Sequence, residues 1–193
     1  MPRIEAGTLR EHRELVHARV FAAFAELMAE RSFDAITMAQ LAERAGLGRT
    51  AIYHHFPDKE SVVVAFAMHE TARYVDSLEA LLAGVEDPAE RLRVYVRNHL
   101  DSGERFHMGL GPQLYGVLPE SSRGEIREHV LAVEQVLRGI LADGVAAGVF
   151  AVDDLDTTTT LIHACLGPRH LPAGTIEAFV LRAVGAAGPS ATP

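Results

Sequence analysis

Six hydrogen-bonding side chains fall close together in this chain: Arg49, Thr50, Tyr53, His54, His55 and Lys59. Thr50 and His54 stand four apart, so a helix puts them on one side. Arg49 opens that helix. Its two-pronged guanidinium matches the acceptor edge of a guanine, a contact worth about 1–3 kcal/mol. Tyr53 offers a phenol to a phosphate, or packs half-buried. His54 and His55 are either contacts or an exposed pair that touches no base. His55 suits packing or a phosphate better than a base edge. Upstream, Thr37 presents a hydroxyl and a backbone N–H at a helix N-terminus, a further place to hold a phosphate. This is the chemistry of a nucleic-acid surface, with donors directed at anionic backbone and base edges.

The elements that must carry these residues read as helices. Val16, Val20, Phe24, Leu27 and Met28 recur at helical spacing, predicting a first helix over about 9–30, with Thr8 and Glu11 as its capping box. Thr37 with Gln40 is a second capping box, ahead of the stripe Met38, Leu41, Ala42 and Ala45. Gly46 ends that helix, since glycine tolerates the left-handed backbone beyond a helix end. A third short helix spans about 49–55, with Ile52 and Phe56 facing inward, and Pro57 closes it. Two short helices meeting at a glycine turn form a helix-turn-helix, whose second helix enters the roughly 12 Å wide major groove of DNA.

Residues 37–60 resemble the tetracycline-repressor (TetR) family of bacterial regulators. Thr37, Leu41-Ala42, Ala45-Gly46-Leu47, Ile52-Tyr53, His55-Phe56 and Lys59-Glu60 all fall at matching positions. The resemblance implies a ligand-responsive repressor that binds a palindromic operator as a homodimer. It makes Lys59 a clamp on the DNA backbone. Three positions depart from the pattern. Gly48 replaces a common Ser, weakening the cap of the recognition helix by a few tenths of a kcal/mol (roughly). Ala51, at a DNA-facing position, replaces a Thr or Ser and removes one phosphate contact. Thr50 replaces a small residue and can supply one.

Beyond the motif, the spacing predicts helices over about 59–82 (capped by Asp58, ended by Gly84), 88–101, 122–147 (capped by Ser122), 154–167 (started by Asp153 or Asp154) and 175–185 (capped by Thr175). Residues 102–120 carry several Gly and Pro and predict short pieces and bends. The whole is an all-α fold of about nine helices. It divides into a three-helix helix-turn-helix DNA-binding domain (1–57), a helical ligand-binding and dimerisation domain (58–188) and a disordered tail (189–193).

By resemblance, the last two helices pair with those of a second subunit. Leu155, Leu161, Ile162, Cys165 and Leu166, then Ile176, Phe179, Val180, Ala183 and Val184, supply the apolar surface. The resemblance also places an effector pocket in the second domain, with 102–120 as its mouth. Candidate liners are Phe66, His69, Arg73, Tyr95, His99, Phe106, His107, Leu110, Leu114, Tyr115, Leu118, Glu134 and His163. For each, ordinary core or surface is an open alternative. Their mixed aromatic and apolar character suggests an organic, partly apolar effector. Ten histidines raise the alternative of a metal-responsive regulator built on His69, His99, His107 and His163. None of these pairs has the His-x3-His spacing that puts two imidazoles on adjacent turns.

Composition bounds the rest. The formal net charge is −8. Residues 1–60 carry 8 basic and 9 acidic side chains, net −1, and the remainder carry 10 and 17, net −7. Such a chain binds a polyanion only through a local face, and the N-terminal third is the place for one. One cysteine, Cys165, excludes an internal disulfide and a cysteine-cluster metal site. It reads as a packed interface residue. The longest apolar run, Val62 to Met68, is far short of the roughly 18 residues of a membrane span. No apolar leader follows the N-terminus, so a cytoplasmic protein is expected. No nucleophile elbow, phosphate loop or dinucleotide fingerprint is present. A DNA-binding regulator without a cofactor is expected rather than an enzyme.

Overall fold

The structure, a computed structural model, describes residues 6–107, 120–167 and 170–186. The candidate liners Leu110, Leu114, Tyr115 and Leu118, and the 189–193 tail, lie outside them. Among the described residues there are eight α-helices, one 3-10 turn and no strand. The helices are α1 (Ala6–Glu30), α2 (Met38–Arg44), α3 (Arg49–His55), α4 (Lys59–Leu82), α5 (Pro88–His107), α6 (Glu120–Ala146), α7 (Leu155–Leu166) and α8 (Ala173–Ala183). The 3-10 turn Phe33–Ala35 lies between α1 and α2.

The described residues group into two compact units. One lies within Met1–Glu70 and Arg105–Ile126, the other within Thr71–Glu104 and Arg127–Pro193. The first unit, the head, is built on the apolar stripe of α1. Val20, Phe24 and Leu27 pack with Ile36, Leu41, Ile52, Phe56, Val62 and Val63 in one buried cluster. Small residues at Ala42 and Ala45 let the helices come close. Thr37 closes its capping box as the spacing predicts: its Oγ1 accepts from the Gln40 N–H at 3.3 Å, and its own N–H donates to Gln40 Oε1 at 2.9 Å. Gly46 then turns the chain at φ +62°, where a side chain is strained. Its carbonyl accepts from Arg19 Nη2 of α1 at 2.7 Å. Arg44 holds Glu30 with two hydrogen bonds, at 2.8 and 3.0 Å, tying the end of α2 to the end of α1.

In the second unit, Leu92, Tyr95 and Val96 of α5 and Val133, Leu137, Ile140 and Leu141 of α6 are buried. So are Ile162 and Leu166 of α7 and Ile176, Val180 and Leu181 of α8. Arg97 of α5 makes a bidentate pair with Glu177 of α8 at 2.6 and 3.0 Å. Asp154 caps α7, accepting from the N–H groups of Asp156 and Thr157.

Four expectations need correction. Thr8, Ser122 and Thr175 are not caps, because α1, α6 and α8 begin two residues earlier and take each of them into the helix. At α8 the extended backbone of Pro172 (ψ 133°) occupies the cap position without a side-chain bond. At α6, Glu120 in the first turn suits the positive end of the helix dipole. Finally, α5 continues through Gly103 to His107. One interior glycine costs a helix only about 1 kcal/mol, too little to end this one.

Candidate nucleic-acid interface

The helix α3 runs Arg49–His55, as the spacing predicts. It is seven residues long and has no side-chain cap at Gly48, so tertiary contacts must hold it. Ile52 is fully buried and Phe56, just past the end, is 3% exposed. These two anchors leave Arg49, Thr50, Ala51, Tyr53 and His54 exposed. The donors therefore stand on the solvent side of a short helix whose other side is locked into the head.

Two predicted phosphate contacts also have structural duties. The Thr37 N–H and hydroxyl are both engaged with Gln40. Capping and phosphate binding thus compete for the same atoms. Lys59 Nζ donates to the Phe33 carbonyl at 3.3 Å and lies 4.3 Å from the centre of the Phe33 ring. It fastens the start of α4 to the turn before α2.

His55 is partly buried and turned inward. Its ring lies 5.5 Å from that of His17 on α1, and the His17 ring lies 4.7 Å from Phe56. Nε2 of His17 is buried with no partner among the described residues. Burial holds the His17 and His55 imidazoles below their usual range, and repulsion from Arg13 adds to it in both. A lowered folded pKa means the neutral form is the one the fold prefers. The stability it contributes is full above about pH 6.5, the unfolded value, and is lost as pH falls below it toward the folded values. The head should therefore melt at lower temperature at pH 5 than at pH 7.5. Thermal unfolding followed by circular dichroism checks this, and H17F should remove part of the difference.

The candidate effector residues are distributed unevenly. Phe66 packs on Phe21 and Phe24 in the head, with ring centres 6.0 and 5.1 Å away, and His69 lies 5.0 Å from Phe21. Arg73 is exposed. In the second unit Tyr95, His99 and His163 do come together. The Tyr95 hydroxyl lies 2.6 Å from His163 Nε2, and the His99 and His163 rings are 5.9 Å apart. Tyr74, which the spacing did not single out, joins them with its hydroxyl 3.4 Å from His99 Nδ1. Burial pushes the Tyr74 phenol up to about 12 and the Tyr95 phenol higher still. Burial lowers His163, against the opposing charge of Glu134. The side chains of Phe106 and His107 lie outside the described residues. No group of three or more His, Cys, Asp or Glu suited to a metal occurs among the described residues, so the four-histidine alternative gains no support.

An exposed donor row on the second helix of a glycine-turned pair, carried on a three-helix head, defines a helix-turn-helix protein. The model of the bacterial regulatory proteins, tetR family, matches residues 20–66. That of the tetracyclin repressor-like C-terminal domain matches residues 85–167. Together these matches span more than half of the chain, which belongs to the tetR family of bacterial regulatory proteins. An uncharacterized HTH-type transcriptional regulator of Mycobacterium tuberculosis is 32% identical over 87 residues, covering 45% of this chain and 43% of that protein. The HTH-type transcriptional repressor AcnR of Corynebacterium efficiens is 35% identical over 66 residues, covering 31% of this chain and 35% of that one. The match thus spans less than half the length of these relatives. Among solved structures, a transcriptional regulator from Saccharomonospora viridis in complex with choline has a TM-score of 0.72 at 19% identity, covering 88% of this chain and 95% of that one. No helix among the described residues is long and apolar enough to cross a membrane.

Proposed function

We propose that this protein is a transcriptional repressor that binds a palindromic operator as a homodimer and is released by a small organic, partly apolar effector. Residues 1–57 are the DNA-binding domain and 58–188 the effector-binding and dimerisation domain, acting in the cytoplasm. The observation that carries this is α3: Ile52 and Phe56 lock one face into the head, and Arg49, Thr50, Tyr53 and His54 stand exposed on the other. A dimer sets two such helices about 34–36 Å apart, one duplex turn. An effector that prefers another spacing shifts the population away from the DNA-competent state. A coupling of about 1–3 kcal/mol gives a roughly 5- to 150-fold change in affinity.

Two features support the rest of the reading. Leu161 of α7 is 61% exposed and Phe179 of α8 is 51% exposed, an apolar surface that a second copy would cover. Tyr74, Tyr95, His99 and His163 form a packed cluster of rings with a few hydroxyl and imidazole groups, the mixed chemistry an organic ligand would meet if it opened that cluster. Repression has a precedent in AcnR, and a small organic ligand in the choline complex.

The test starts from DNA. The full chain should select a preferred duplex from a random-sequence pool. R49A should then weaken binding to that duplex about 5- to 150-fold, as expected for loss of about 1–3 kcal/mol at a guanine edge. Its binding to random duplex should change much less. Failure to enrich any sequence at low salt overturns the reading.

A further inference from the structure

The head holds a second surface feature beside the recognition helix. A groove of about 740 Å³ runs between α1 and α3. From α1 it is lined by Leu9, His12 and Arg13, and from α3 by Thr50, His54 and His55. The spacing explains the lining. Residues 9 and 12 are three apart and 9 and 13 four apart; on α3, 50 and 54 are four apart, 51 and 54 three apart and 51 and 55 four apart, so each set shares one helix face. Ala51 lies between them and contributes only a methyl group, which leaves the space open.

The chemistry of the lining is one-sided. Four of its side chains are imidazole or guanidinium groups, Thr50 adds a hydroxyl, and no carboxylate lines the groove among the described residues. Arg10, one turn before, is held by Glu14 at 2.8 Å, whereas no ion pair holds Arg13 among the described residues. The groove is continuous with the exposed face of α3, because Thr50 and His54 belong to both.

We propose that this groove is a second DNA contact, which holds a backbone phosphate of the duplex read by α3 and takes up a proton on His55 as it does so. This rests on the reading of the chain as a DNA-binding protein, and adds to it a contact made by α1 and a dependence on pH. The groups that face His55 are His12, Arg13 and His17 from α1 and its neighbour His54; His69 of α4 adds its charge at His17. All of them repel a new positive charge. A phosphodiester reverses that balance, since a phosphate oxygen accepts from imidazolium and guanidinium alike. The His55 imidazole, which burial and these charges hold below its usual range in the free head, then gains a proton in the complex. By linkage, affinity rises as pH falls from about 8 to about 6, the range in which histidine titrates.

The experiment uses the full chain and the duplex it selects from a random pool at pH 7.5. Anisotropy titrations at pH 8, 7 and 6 and at several salt concentrations should show Kd falling several-fold toward pH 6. R13Q should weaken binding several-fold, equally on the selected and on random duplex, because phosphates carry no sequence. It should also reduce the slope of log Kd against log salt by about 1 per groove. H55Q should flatten the pH profile. Thermal melts of each variant at pH 8 and pH 6 verify that the head is folded. A pH-independent Kd, an affinity that falls toward pH 6, or an unchanged salt slope in R13Q overturns the proposal. If R49A weakens the selected duplex while R13Q and H55Q change nothing, the groove fails and the DNA-binding reading stands. If no duplex is selected, both fail.

Discussion

Replacing Phe56 with alanine is expected to cost the head about 3–5 kcal/mol, the usual range for deleting a buried phenyl ring. Phe56 is 3% exposed and sits where α3 ends. Its N–H donates to the Ile52 carbonyl at 2.8 Å, closing the last turn. Its ring meets His17 at 4.7 Å and Phe21 at 6.1 Å. The loss is large against a typical total stability of about 5–15 kcal/mol. It falls on the element that presents the donors, since α3 has only Ile52 as its other buried anchor. Urea unfolding followed by circular dichroism should show an early transition in F56A, and duplex binding should be lost under conditions where the wild type binds. F56L keeps most of the volume, should cost less than about 1.5 kcal/mol, and should retain binding. Equal loss in both variants would mean that the aromatic contact with His17, and not the filled volume, anchors the helix.

The parts of the head that could be read from the sequence are those with local punctuation. Thr37 and Gln40, Gly46, and Pro57 bound α2 and α3 within a few residues, and each acts through its own backbone. The starts of α1, α6 and α8 were misread for the same reason. A Ser or Thr followed three residues later by Glu, as Thr8 and Ser122 are, resembles a cap wherever it occurs; at α8 Thr175 resembles one on its residue type alone, and the helix start at Pro172 uses no side chain at all. His17 was missed because it lies one residue beyond Val16 on α1, at the margin of the apolar stripe. Only the packing of α3 on α1 shows that it meets His55. Arg13 and His12 were invisible for the same reason, since they gain a role only when a second helix supplies the other wall. Tyr74 and His99 are 25 residues apart on different helices, and no spacing rule connects them.

The same substitution at two glycines of α6 should have opposite effects. Gly139 is exposed, and an added Cβ there meets nothing within 4 Å. G139A should stabilise the protein by up to about 1 kcal/mol, the helix preference for alanine over glycine. Gly144, in the last turn of the helix, is buried, and a Cβ there would clash with the Phe150 ring. The ring is placed by the turn itself: the N–H groups of Val149 and Phe150 both donate to the Gly144 carbonyl, at 2.9 and 3.0 Å. Gly148 makes that reversal at φ +69°. Phe150 is 5% exposed, so moving it aside either crowds its neighbours or exposes an aromatic ring. Crowding costs about 1–3 kcal/mol, and exposing the ring costs about 1.5–3 kcal/mol. Either exceeds the helix-propensity gain. G144A should therefore lower the unfolding midpoint while G139A raises it. In G144A/F150L the smaller, flexible side chain should recover part of the loss, giving a double-mutant coupling of the sign expected for two groups in contact. Additive effects in that cycle would show that the ring does not rest on Gly144, and that the destabilisation comes from the backbone of the turn.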